Sequence, residues 1–87
     1  MIDLDTRVLE EIRRIARVDL EFTGELLPSA RLNEDLHLDS MAMIIVAVGL
    51  ENLFRVKLQE EDATQLLTVS DLVKLVVQRV GEAEAAA

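Results

Sequence analysis

The ten residues from Met41 to Leu50 carry no charge, in a chain of only 87 residues. A chain this short builds a single small core, and this run is the most apolar stretch available to it. Its Ile44, Ile45, Val46 and Val48 are compatible with a buried strand, because periodicity alone does not separate helix from strand over a short apolar run. Two observations favour a helix. The pattern continues through Glu51-Asn52-Leu53-Phe54, longer than a typical strand, and no second strand-like run offers an edge to pair with. Asp39 or Ser40 stands where the N-cap of such a helix belongs.

The rest of the chain supplies helices to pack against it. From Leu4, the apolar residues Val8, Ile12, Ile15 and Ala16 recur at three- and four-residue steps, with Arg7, Glu11, Arg14 and Arg17 on the other face. This predicts a first helix, with Asp3 or Asp5 at its positive end, fading near Val18. Residues 19–39 keep no period and contain Gly24, Pro28, Ser29 and Asn33. They read as a long loop, pinned to the core by Phe22, Leu26, Leu27, Leu32, Leu36 and Leu38. An acidic opening, Glu60-Glu61-Asp62, followed by Ala63, Leu66 and Leu67, predicts a short helix over 60–67. Thr68 and Asp71 have capping-box spacing, with Asp in place of the usual Glu or Gln. Leu72, Val73, Val76 and Val80 then mark a last helix, which Gly81 is expected to stop.

The expected fold is therefore all-α: three main helices, one short helix, and a long loop between helices one and two. Residues 1–81 form the domain, and residues 82–87, with no large apolar side chain to bury, form a flexible C-terminal tail.

Composition removes several function classes. Without cysteine there is no thiolate nucleophile, no disulfide framework and no cysteine-rich zinc site, and the lone His37 does not make a metal cluster. A net charge of -8 argues against tracking a nucleic-acid backbone and points to basic protein partners. The charge is uneven, since residues 19–39 hold six acids against the single base Arg31. Acids near the N-terminus, where a signal peptide needs bases, and the lack of a membrane-length apolar run lead to an expected cytoplasmic location.

Taken locally, Asp39-Ser40 before an apolar helix is an ordinary cap. A hydrolase reading of Ser40 is weaker still. A serine nucleophile needs a positioned base, His37 is too near in sequence for a productive approach, and no G-x-S-x-G elbow surrounds the serine. The wider segment changes the weighing. Leu32-Asn33-Glu34-Asp35-Leu36-His37-Leu38-Asp39-Ser40-Met41 resembles the phosphopantetheine attachment region of acyl carrier proteins, with Met41 replacing the usual leucine after the serine. Leu50-Glu51-Asn52-Leu53-Phe54 resembles the acidic end of that family's second helix, Leu58 to Asp62 the approach to its third, and Thr68-Val69 the opening of its last.

The resemblance implies that a phosphopantetheinyl transferase, the holo-acyl-carrier-protein synthase, joins 4'-phosphopantetheine from coenzyme A to Ser40. It also implies that Asp39 is used by that synthase. Acyltransferases, ketosynthases or acyl-activating ligases then become the expected partners of a monomeric carrier that is not itself an enzyme. An aminoacyl or peptidyl carrier shares these features, and an unmodified helical interaction module is the reading from a different class. One departure is visible. Where ordinary carriers expose acids early in the second helix, this chain has Ala42 and Ile45. Met41, Ala42, Ile45 and Glu51 are therefore expected to form an altered, apolar docking surface, unless the long loop covers them. The Met, Ile and Val content of that helix is read first as core packing and second as room for an acyl chain.

Overall fold

A computed structural model describes residues 3–63 and 65–86. Its elements are α1 (Leu4–Val18), α2 (Ser40–Phe54), α3 (Glu60–Ala63) and α4 (Val69–Ala86). Among the described residues there is no strand, only an isolated antiparallel bridge between Arg31 and Thr68. The fold is all-α, as the periodicities predict.

Helix α1 is the centre of the arrangement and packs against both α2 and α4. Its stripe of Val8, Ile12, Ile15 and Ala16 is buried, and Asp3 caps its start by accepting the Thr6 N–H at 2.8 Å. From α2 the core receives Val46 and Leu50, and from α4 it receives Val69, Leu72, Val73 and Val76. Between α2 and α4 runs a groove of about 1030 Å³, bordered by Met43, Ala47, Leu66 and Leu72.

Residues 19–39 connect α1 to α2 without helix, as expected, and Leu26, Leu32 and Leu36 are buried under the loop. Phe22 and Leu38 are half-buried against the same core, but Leu27, expected as a further anchor, is exposed. Hydrogen bonds to the loop's main chain explain how so long a segment is held. Arg13 Nε donates to the Leu26 carbonyl at 3.0 Å, and the Phe22 N–H donates to the Ala16 carbonyl at 2.8 Å. Further along, the loop meets the start of α4. The Leu32 N–H donates to Leu67 O, while the Val69 and Ser70 N–H groups donate to Ala30 O and Pro28 O, each at 2.9 Å. The first N–H groups of a helix lack partners within the helix, and here the loop's carbonyls supply two of them.

The Thr68–Asp71 capping box forms as its spacing predicts. The Asp71 N–H donates to Thr68 Oγ1, and Asp71 Oδ2 accepts from the Thr68 and Leu67 N–H groups. Those N–H bonds, from Leu67 first and Thr68 next, hold the Asp71 carboxyl below its ordinary pKa.

Two boundaries differ from expectation. The short helix is Glu60–Ala63 and does not reach residue 67. Leu66 and Leu67 are not helical, and the Leu67 main chain is engaged by Leu32 and Asp71. Nor does the last helix stop at Gly81, since it continues to Ala86. Gly81 is not in a positive-φ conformation and has open space around its Cα, and Gln78 and Arg79 both reach forward to Glu82 across it. The tail from residue 82 to residue 86 is thus helix in its backbone, and residue 87 lies outside the described residues.

Candidate functional site

The site is the corner where the loop turns into α2. Asp39, with φ -78 and ψ -175, is the N-cap. Its Oδ1 accepts the Ala42 N–H at 2.9 Å, and its carbonyl accepts the Met43 N–H at 2.9 Å. Between the two cap candidates, Asp39 takes the role and Ser40 becomes the first helical residue. This leaves the N–H groups of Ser40 and Met41 without acceptors among the described residues. Ser40 is exposed, and its hydroxyl has no hydrogen-bond partner among them either.

His37 precedes this corner with φ 54, in the left-handed region, and is exposed. Its N–H donates to Asn33 O at 3.1 Å, and no hydrogen bond links its ring to Ser40. Ser40 and His37 therefore do not form a nucleophile–base pair. No cluster of three or more His, Cys, Asp or Glu among the described residues is arranged to hold a metal ion.

The acids of the loop are partly engaged. Arg31 pairs with Glu34 and Asp35, and the Arg31 N–H donates to Asp35 Oδ2 at 2.8 Å. That N–H bond, aided by the Arg31 guanidinium, keeps the Asp35 carboxyl below its ordinary pKa. Glu51 is similarly occupied, accepting the Leu58 N–H at 3.1 Å.

Two hollows flank the corner. The groove between α2 and α4 opens beside Ser40 and is walled by Met43, Ile44, Val48, Leu66 and Leu75. A smaller one, about 180 Å³, lies behind Asp39 and Ala42, among Ala16, Phe22 and Leu36. No helix among the described residues is long and apolar enough to cross a membrane.

Of the four residues expected to form a docking surface, Met41 is 66% exposed, Ala42 and Glu51 are half-buried, and Ile45 packs on the core. The exposed apolar stripe is instead Met41, Ile44 and Val48, and the long loop leaves it uncovered. Stepping three and then four residues from Met41 reaches these positions, so the helical period held that signal. The period alone does not single them out, because residues 41–50 are apolar on every side and no polar face tells the outside from the inside. Leu67, 71% exposed across the groove from Ile44, gave no such sequence signal.

No family model matches the chain. Among curated proteins, it is 38% identical over 68 residues to the meromycolate extension acyl carrier proteins of Mycobacterium leprae, Mycobacterium bovis and Mycobacterium tuberculosis. The match takes in 74% of this chain and spans 59% of each relative's length. Among solved structures, the acyl carrier protein from Thermotoga maritima superposes with a TM-score of 0.79 at 19% identity, covering 90% of this chain and 92% of that one. That likeness is one of fold.

Proposed function

We propose that the chain is an acyl carrier protein, a reading supported by its 38% identity to mycobacterial acyl carrier proteins and by the shared fold, and that it holds acyl groups as thioesters on a 4'-phosphopantetheine arm joined to Ser40. The observation that carries this reading is the Asp39–Ser40 corner. There an exposed, unpartnered hydroxyl stands at the first position of a helix whose leading N–H groups are open. A phosphodiester at this position meets those N–H groups and the positive end of the helix macrodipole, and both favour an anion. The residues present therefore fit the phosphate end of the arm, with Ser40 as its attachment and the Ser40 and Met41 main chain as its donors. The arm supplies the thiol that a chain without cysteine lacks.

The chain's own part is to present and orient. Asp39 fixes the start of α2 through one carboxylate oxygen. The other oxygen has no partner among the described residues and is available to the synthase that modifies Ser40. A carboxylate beside the incoming phosphate is unfavourable within the carrier alone, which supports a role for Asp39 toward the synthase. The carrier is not itself an enzyme. Its loading is the work of a phosphopantetheinyl transferase, and its cargo is attached and consumed by acyltransferases, ketosynthases or acyl-activating ligases. Residues 1–81 are the carrier unit, residues 82–87 an extension not needed for loading, and the location is cytoplasmic.

The pathway is a specialised one, in lipid or polyketide-type synthesis. The mycobacterial relatives named for meromycolate extension support this, and so does the outer face of α2. There Met41, Ile44 and Val48 stand exposed, and the first turn holds no acid. Such a face suits a partner with an apolar docking surface better than one with a basic patch.

The test is intact mass after incubation with coenzyme A and a broad-specificity phosphopantetheinyl transferase. The expected result is the gain of one arm, lost in Ser40→Ala. No gain, or an equal gain in Ser40→Ala, removes the carrier reading.

A further inference from the structure

We propose that the Asp62–Arg79 ion pair is a latch that holds α3 against α4 and thereby sets the width of the groove beside Ser40. The pairs formed by Arg13, Arg14 and Arg31 each join residues three or four apart on one segment. Arg79 reaches instead across seventeen residues, its Nη2 lying 2.8 Å from Asp62 Oδ1. Both side chains are mostly covered, at 29% and 19% exposure, so their attraction is screened less than that of a surface pair.

The same residue also organises α3 itself. Asp62 Oδ2 accepts the Gln59 N–H at 2.9 Å, and the Asp62 carbonyl accepts the Gln65 N–H at 3.2 Å. A single helical turn does not stand alone in water, so its position has to come from what it is tied to. Asp62 also borders the groove, together with Leu58, Gln59 and Leu66. Displacing it from Arg79 moves part of the groove's wall.

The latch is also built to release. Arg79 Nε is buried with no acceptor, and Nη1 meets Glu82 only at 3.5 Å. A half-satisfied guanidinium gains less from the closed state than a fully bonded one, which brings the open state within reach. The inference rests on the carrier reading only for what occupies the groove, since the latch itself belongs to the unmodified chain.

Native-state hydrogen exchange on that unmodified chain tests it, so that a failure of Ser40 to load leaves the result readable. In Arg79→Gln and in Asp62→Asn, exchange of the Asp62 and Gln65 N–H groups is expected to quicken by about ten-fold or more, while Ile12 and Ile15 in α1 keep their rates. The uncharged apolar dye N-phenyl-1-naphthylamine is expected to bind more strongly to both variants as the groove widens. Unchanged exchange at Asp62 and Gln65 overturns the latch, as does an equal acceleration in α1, which would report general destabilisation. Faster exchange without greater dye binding overturns the link to the groove.

Discussion

Gly49 in α2 lies so close to Ile15 in α1 that a Cβ built on the glycine would stand 2.8 Å from Ile15 Cδ1. Glycine is a poor residue for a helix interior, costing about 1 kcal/mol against alanine, and here it lets the two helices approach. Ile15 is 1% exposed, so its Cδ1 can yield only by turning within the packed core. Gly49→Leu is therefore expected to lower the unfolding free energy by about 1–3 kcal/mol through overpacking, read from urea denaturation followed by circular dichroism. A variant as stable as the parent would mean that α1 and α2 are farther apart than this contact requires.

At the other end of α2, Arg55 takes up the left-handed conformation, with φ 56 and ψ 46, and its N–H returns to Glu51 O. Its side chain forms no hydrogen bond or ion pair among the described residues. Glycine adopts this conformation without the strain that a side chain brings. Arg55→Gly should accordingly raise the unfolding free energy by about 0.5–1 kcal/mol. A fall in the denaturation midpoint would contradict this.

How much of this was legible in the sequence follows from which forces act locally. Helix α1 could be read to the residue because its apolar stripe and its charged face have the same period. The Thr68–Asp71 box could be read because a cap is written within four residues. The end of α3 is not legible locally, because it depends on which backbone groups a distant segment occupies, as Leu32 does with Leu67, and the exposure of Leu27 follows from the path of a loop that has no period. At the site, Ser40 and Asp39 were evident as a pair, but their division into cap and first helical residue needed the geometry. The groove joins residues from 31 to 75, and no local pattern announces a space between elements.

Stability is expected to fall in acid through identifiable carboxylates. Main-chain N–H bonds lower the pKa of Asp71, Asp35 and Asp3, the donors being Leu67 and Thr68, Arg31, and Thr6 respectively. A carboxyl whose pKa is lower in the folded state binds fewer protons there than when unfolded. Its contribution is complete above the ordinary value of 3.8 and is lost as the pH falls through the lower, folded value. The urea midpoint should hold steady from neutral pH to about 5 and then decline below about 4, with a shallower decline in Asp71→Asn. An identical acid profile in the two proteins would exclude Asp71 as a contributor.

Asp39 is assigned two roles that one substitution separates. Asparagine is as good an N-cap as aspartate, so Asp39→Asn keeps the bond from the Ala42 N–H and should change stability by less than about 0.5 kcal/mol. It removes the charge offered to the synthase, and the rate of arm transfer to Ser40 should fall. Asp39→Ala loses both functions, with a stability cost of about 1 kcal/mol. If Asp39→Asn loads at the parental rate, Asp39 is a cap and nothing more.

The outer face of α2 gives the sharpest statement about partners. Ile44 is 57% exposed, so Ile44→Glu should leave stability within about 0.5 kcal/mol of the parent. A general malonyl-transfer and condensing system that docks carriers through basic patches finds no acid in the first turn of α2. The loaded parent chain should therefore be turned over by that system about ten-fold less efficiently than a standard carrier. Placing a carboxylate at residue 44 supplies the missing complement and should recover part of the difference, because specificity of this kind is a difference between two affinities. Parental turnover equal to that of a standard carrier would show that the apolar stripe of Met41, Ile44 and Val48 does not select partners. Poor turnover that Ile44→Glu leaves unchanged would move the selection away from this face of α2.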